Sequence, residues 1–345
     1  MKTVKIHFVG FWPDLDFENN IFSVLLKRRY NVVFDSVDPD FLFCSPLGEP
    51  FDYMKYDCPR IMYTGEFLTA NFNTIDYFIG YDDISFGDRA FRFPLFLFDK
   101  LGDTTSNRTI TEDEAVKILK DKEYFCNYIF GHDTELGVRE KILEGLSAYK
   151  RVECAGRHRN NMPGGKTFNM HNKMPFMQKC KFAIAAESVR YPGFTSEKIG
   201  HAFDAMSIPV HFGDPDVGKD FNEDAFVDYN RYKTVEAMVE KVIEIDQRDD
   251  LYIHMLCQNR YNQARYEEMM FDKLAAFLYH IFDQDKEEAY RRPRFYCAER
   301  HETYLRHYND MLGTIPWKID RKMRYLAWRW RKIKGSDEER GLLIQ

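Results

Sequence analysis

Twice along this chain, short apolar runs alternate with stretches of helical periodicity, and a polar break separates the two series. Apolar runs joined by crossover helices build sheets flanked by helices, so the alternation predicts an α/β architecture. In the first series the pattern gives a strand over 4–10 and a helix over 17–29 with Ile21, Leu25 and Leu26 on one face. Strands follow over 31–36, 40–45 and 60–64, with another near 77–81. A polar loop over 99–111 leads into a helix over 111–122 with an acidic first turn. The second series opens with a strand over 125–130 and a helix over 134–149. It continues with a strand at 152–156, a short helix at 173–180, a strand at 182–186, a helix at 197–206 and a strand at 208–212. Helices dominate from 234 to about 282. At 345 residues the chain favours two domains over one, and 44% apolar content suffices for two cores. The expected units are 1–122, 123–285 and a helical tail over 286–345, the first two being Rossmann-like domains facing a cleft.

Several function classes fall away early. A net charge of −6 argues against a general nucleic-acid binder, because backbone phosphates demand a cationic surface. Seven scattered cysteines without CxxC spacing argue against a metal cluster or a disulfide framework and fit buried thiols in a reducing compartment. The histidines show no HExxH pattern or shared ligand spacing. Gly10-Phe11-Trp12-Pro13 after the first strand does not supply the GxGxxG of a dinucleotide enzyme. The N-terminus enters a strand at once and no segment reaches the roughly 20 apolar residues of a membrane span, so an intracellular protein is expected. The tail over 320–334 sets Met323, Leu326, Trp330 and Ile333 at helical spacing among seven basic residues. Such a helix suits an anionic membrane surface or one apolar stripe packed on the body, and the sequence weighs these evenly.

The passage from Phe182 through Glu187, Ser188 and Phe194 to Thr195-Ser196-Glu197-Lys198 is a strand, a loop with Gly and Pro, and a helix start. Thr195 or Ser196 is placed to cap that helix. Free N–H groups there suit a diphosphate, Lys198 adds a cation, and Glu197 suits ribose hydroxyls. Upstream, Gly156-Arg157-His158-Arg159-Asn160 follows another strand, and an arginine fork suits phosphate oxygens. In the first series, Tyr63-Thr64-Gly65-Glu66 brings a carboxylate to a strand's carboxyl end, where α/β sheets open their clefts. Asp38-Pro39-Asp40 and Asp214-Pro215-Asp216 imitate a DxD metal motif but read as turns.

The block from Phe182 to Gly213 resembles the nucleotide-sugar motif of bacterial family 10 α-1,3-fucosyltransferases. Glu187, Glu197, Lys198, Pro209 and Gly213 match at its spacing, and Lys219-Asp220-Phe221 continues it. Ser188 stands in place of the family's usual Asn, Phe194 of Tyr and Ser196 of Thr. The stretch from Tyr63 to Pro94 resembles the acceptor domain of the same family. The resemblance covers about residues 1–285. It implies a GT-B-like fold and donor binding by Arg159, Glu187, Ser188, Phe194, Ser196, Glu197 and Lys198. Arg159 matches the family's phosphate-binding arginine best, with Arg157 as the competing choice. It also implies Glu66 as general base in an inverting transfer of L-fucose from GDP-β-L-fucose. The expected acceptor is the 3-hydroxyl of GlcNAc in N-acetyllactosamine-type glycans, giving a Lewis X-type product. No metal is required on this reading, although a divalent cation (Mn or Mg) would stimulate by shielding phosphate. The alternatives are another sugar nucleotide or acceptor linkage on the same fold, or a non-catalytic nucleotide- or glycan-binding protein. The expected location is cytoplasmic, with peripheral contact through 320–334 to an anionic membrane.

Overall fold

The computed structural model describes residues 1–49, 51–98, 100–101, 109–132 and 137–334, and two parallel sheets organise them. Most of the expected loop over 99–111, the start of the expected 134–149 helix and the final residues 335–345 lie outside the described residues, as do the side chains of 328, 329 and 331–334.

The first sheet holds β1 (Thr3–Val9), β2 (Asn31–Phe34), β3 (Phe41–Cys44), β4 (Arg60–Tyr63), β5 (Tyr77–Gly80) and β6 (Ala90–Arg92), in the order β2-β1-β3-β4-β5-β6. β3, β4 and β5 are buried at every position, as expected of strands covered on both faces. Between β1 and β2 lies α1 (Ile21–Lys27), which starts four residues later than its apolar pattern suggests. The cause is local. Asp16 accepts the N–H groups of Glu18 and Asn19, and Asn20 then caps the helix by accepting those of Phe22 and Ser23.

The second half begins with α2 (Glu112–Lys120), whose Thr111 and Glu114 form a reciprocal capping box. Its sheet holds β7 (Tyr124–Tyr128), β8 (Val152–Cys154), β9 (Cys180–Ala186), β10 (Ile208–Phe212) and β11 (Val227–Asp228), in the order β11-β10-β9-β7-β8. Helices α3 (Val138–Tyr149), α4 (Met174–Met177) and α5 (Glu197–Asp204) connect the strands. After β11 come α6 (Tyr229–Tyr232), α7 (Val235–Gln247) and α8 (Asp249–Leu256). Phe182, Ile184 and Val210 from this sheet pack with Ile142, Leu146, Met238 and Val242 from α3 and α7.

The chain then returns. Helix α9 (Tyr266–Asp283), within the expected 123–285 unit, lays Phe271, Leu274, Leu278, Ile281 and Phe282 against Val4, Ile6, Phe41 and Phe43 of the first sheet. The Phe41 and Phe282 rings lie 4.2 Å apart, and each such buried side chain contributes roughly 1.5–3 kcal/mol. The same core takes in Phe96, Ile199, Phe203 and Phe221, so the two halves share buried contacts.

Beyond α9 the tail divides. α10 (Lys286–Ala289) seats Ala289 in the first core, and α11 (Cys297–Leu312) lays Leu305 against apolar side chains of the first half, while buried ions hold α11 and the segment before it. Buried Asp76 accepts the backbone N–H groups of Arg60, Arg291 and Arg292 at 2.7, 2.8 and 2.8 Å and pairs with the Arg292 guanidinium. Glu302 of α11 reaches the buried Arg60 guanidinium at 2.9 Å. Burial opposes the Glu302 charge, but Arg60, Arg306 and Arg292 prevail and hold its carboxyl below the usual range. The last helix, α12 (Ile315–Lys334), keeps Ile315, Ile319, Met323, Leu326 and Trp330 exposed. Packing of that stripe on the body is therefore not what the described residues show.

Five of the seven cysteines are buried, while Cys257 is half-buried and Cys297 exposed. Among the described residues no helix is long and apolar enough to cross a membrane.

Candidate active site

Both sheets reverse their strand order between the first and third strands, β1/β3 in one and β7/β9 in the other. Open parallel sheets form their ligand crevice at the carboxyl ends of strands beside such a reversal. The Glu187 loop leaves β9 and the Arg159 loop leaves β8, on either side of β7. Glu66 follows β4 at the same type of edge in the other sheet.

At the end of β9 in the second sheet stands a buried charge, Glu187, only 2% exposed. Its Oε1 accepts from the Ser196 N–H at 2.9 Å and the Ser196 hydroxyl at 2.7 Å, and its Oε2 accepts from Lys198 Nζ at 2.8 Å. Gly213 makes room for it, since a Cβ there would stand 2.7 Å from the Glu187 side chain. Ser196 occupies the cap position of α5, but its hydroxyl does not cap. It accepts from Lys198 at 2.8 Å, and Glu187 satisfies the Ser196 N–H instead. Thr195 does not cap either; its hydroxyl goes to Asp214 at 3.0 Å.

Lys198 keeps 26% of its side chain exposed. Burial works against the ammonium, yet Glu187 and Glu197 outweigh it and raise its pKa above the ordinary lysine value. Glu197 is half-buried, and burial opposes its charge too. Lys198, Lys173 and His201 prevail and bring its carboxyl down to about 2. Those cations keep Glu197 ionised in the first turn of α5, and no described side chain hydrogen-bonds its carboxylate. Three groups here carry no signal of their own in the sequence. Buried Lys173 contacts the Met170 sulfur at 3.2 Å and lies in the field of Glu197. His201 is driven down to about 4 by burial first and Lys173 second, and is neutral near pH 7. Buried Arg139 donates to the Ala186 carbonyl at 3.0 Å, lies 3.9 Å over the Phe130 ring, and adds positive potential at Lys198.

In the β8 loop, Arg157 and Arg159 are both exposed, and neither guanidinium hydrogen-bonds a described residue. Arg159 takes φ +55°, and Asn160 secures the turn by donating to the Gly156 and Lys166 carbonyls. Ser188 is exposed at the start of the β9 loop. Phe194 is buried, its ring 5.4 Å from Phe67 and 4.9 Å from Tyr81 of the first half.

That contact joins the two halves at the crevice. Thr64 holds the turn after β4, its hydroxyl accepting from the Glu66 N–H at 3.0 Å and donating to the Glu66 carbonyl at 3.1 Å. The Glu66 side chain is exposed, with no hydrogen bond from a described residue. Phe67, its neighbour, meets Tyr191 of the donor-side loop at 5.1 Å. Gly193 follows in that loop at φ +81°, where a Cβ would stand 2.9 Å from the Tyr81 carbonyl oxygen. Arg92 donates to both Asp220 oxygens at 2.9 and 2.6 Å and to the Tyr81 carbonyl at 3.1 Å, fastening the same seam.

Against this geometry, two sequence families match. The α-(1,3)-fucosyltransferase FucT N-terminal domain matches residues 6–99, and the glycosyltransferase family 10 (fucosyltransferase) C-terminal domain matches 119–286. The chain belongs to glycosyltransferase family 10. It is a fucosyltransferase of the α-1,3 type. Among relatives, the α-(1,3)-fucosyltransferase FucT of Helicobacter pylori is 26% identical over 339 residues, an alignment taking in 87% of this chain and 70% of that protein. A crystal structure of an α1,3-fucosyltransferase superposes with a TM-score of 0.70 at 23% identity, covering 86% of this chain and 93% of that one. A structure of such an enzyme with GDP-fucose gives 0.66 at 23% identity, covering 83% and 92%. These likenesses establish the GT-B-type fold.

In this family 10 chain three of the four carboxylates of the DxD-like pairs are engaged by other protein groups. Asp214 accepts from the Gly193 N–H at 2.7 Å as well as from Thr195, and Asp216 pairs with Lys219 at 2.9 Å. Asp40 accepts from the Lys5 N–H at 2.8 Å. Among the described residues no group of three or more His, Cys, Asp or Glu side chains is arranged to hold a metal.

Proposed function

We propose that this family 10 enzyme transfers L-fucose from GDP-β-L-fucose, with inversion, to the 3-hydroxyl of GlcNAc in N-acetyllactosamine-type glycans. One observation carries the reading. An unengaged carboxylate, Glu66, adjoins the aromatic seam whose other side leads through Thr195 and Ser196 to Lys198. Glu66 takes the acceptor proton as the hydroxyl oxygen bonds to the fucose anomeric carbon. The bond from that carbon to the diphosphate breaks on the opposite face, and GDP leaves with the electron pair. Lys198, the α5 N-terminus and Arg159 meet the charge that grows on the leaving group. Glu197 holds the ribose hydroxyls. Glu187 and Ser196 act one step back, holding Lys198 and the helix start. The chain's own cations suffice for the diphosphate, and Mn or Mg adds only shielding.

The linkage finds support in the α-(1,3) specificity of the H. pylori relative, and the donor in the related structure with GDP-fucose. Product analysis tests the reading. GDP-fucose with a panel of lactosamine, lactose and type 1 acceptors should yield α-1,3-fucosyl-GlcNAc on lactosamine. Preference for GDP-mannose, or linkage to another position, would overturn it. The exposed apolar stripe of α12, set among basic residues, favours a second reading in which the cytoplasmic enzyme rests on an anionic membrane through this helix.

A further inference from the structure

Phe67 is an anomaly at the seam. Its ring touches three others: Tyr81 at 5.9 Å and nearly parallel, Tyr191 at 5.1 Å and Phe194 at 5.4 Å, the last two edge-on. Three aromatic partners would ordinarily bury a phenylalanine, yet 47% of this one faces solvent. Its partners are not mobile surface groups. Tyr81 and Phe194 are buried and lie edge-to-face at 4.9 Å. The loop carrying Tyr191 and Phe194 is fixed by Asp214, which accepts from Gly193 and Thr195. On Phe67's own side, the Thr69 hydroxyl donates to Asp82 at 2.8 Å. An exposed apolar ring is thus held rigid, one residue from the carboxylate proposed as the base.

A pyranose presents a ring of hydroxyls at its rim and an apolar patch of C–H groups on its face. A fixed aromatic surface takes that face without bending, and the rim hydroxyls then fall where neighbouring polar groups can reach them. We infer that Phe67 is an acceptor-binding residue, a platform on which the apolar face of the acceptor sugar stacks so that one hydroxyl meets Glu66. The inference rests on the proposed transferase reading and adds a specificity element to it. Because Tyr191 and Phe194 come from the donor-side loop, both halves of the molecule build this platform.

The test separates acceptor binding from everything else. Phe67→Ala should raise the acceptor KM about tenfold, the loss of one good stacking contact, with kcat at saturating acceptor and the GDP affinity each within about threefold of wild type. Phe67→Leu keeps apolar bulk at the seam and should show the same defect, whereas Phe67→Trp should restore the KM. An unchanged acceptor KM in both Phe67→Ala and Phe67→Leu overturns the platform. So does a fall in kcat alone, which would make Phe67 only a support for Glu66. If the wild-type enzyme transfers no fucose to any glycan, the functional reading itself fails. A normal wild-type enzyme with insensitive Phe67 variants removes this inference alone.

Discussion

At the scale of single residues, the donor side is a set of charges that hold one another in particular states. Glu187 and Lys198 are each costly to bury and are kept by their mutual contact at 2.8 Å. Glu197 is pushed toward the ionised form by Lys198 and Lys173 against its burial, and His201 toward the neutral form by burial first and Lys173 second. His201 makes this visible in solution. Its folded pKa, about 4, lies below the unfolded value near 6.5, so the unfolded chain takes up a proton before the folded chain does. The stability due to a neutral His201 is complete above pH 6.5 and is lost as pH falls toward 4, at about 1 kcal/mol per pH unit. Denaturant titrations from pH 7 to 4 should show that slope in wild type and a shallower one in His201→Gln. Identical slopes would mean His201 is not held neutral. Little of this was legible in the sequence. Glu197 and Lys198 stand out as the first turn of a helix after a strand. The roles of Lys173, Arg139 and His201 depend on which strands are neighbours, and a linear pattern does not carry that. Glu187 reads as a donor ligand by its motif, yet three donors from Ser196 and Lys198 already converge on its carboxylate.

At the scale of elements, apolar runs marked the strands well because burial on both faces leaves no polar position to blur them. β10 spans Ile208–Phe212, the range its sequence predicts. β6 and β11 were not legible, being three and two residues long. α1 starts later than its apolar pattern predicts because capping by Asn20 outweighs the pattern before it. α11 falls within the expected helical tail, but its bounds are not legible, because no residue in it is fully buried. Its attachment is largely ionic, through Glu302 to Arg60 and through the segment before it to Asp76, with Leu305 the apolar contact. Two deletions separate the parts of the tail. Removal of 314–345 should leave folding and turnover intact while lowering sedimentation with anionic liposomes. Removal of 290–345 strips Asp76 and Arg60 of their ion-pair partners and should destabilise the protein by about 3–5 kcal/mol, since each buried charge then lacks its counter-charge. Unchanged liposome binding in the first deletion counts against the membrane reading. A stable, active second deletion counts against the buried ion cluster as a clamp.

At the scale of the whole molecule, two parallel sheets with the same order reversal present their carboxyl edges to one another, and an aromatic seam with a bidentate Arg92–Asp220 pair joins them. The twofold alternation in the sequence revealed the two sheets. It did not reveal that α9 crosses back to the first sheet, because an amphipathic helix carries no label for the surface it will cover. The sharing of one core across both halves ties the position of Glu66 to that of Lys198, as the proposed base-assisted displacement requires. Replacement of Glu66 by Gln, measured for both GDP affinity and fucose transfer, tests that arrangement most directly. The account predicts GDP affinity within about twofold of wild type and transfer reduced by at least about a hundredfold. Transfer at the wild-type rate in Glu66→Gln would contradict it.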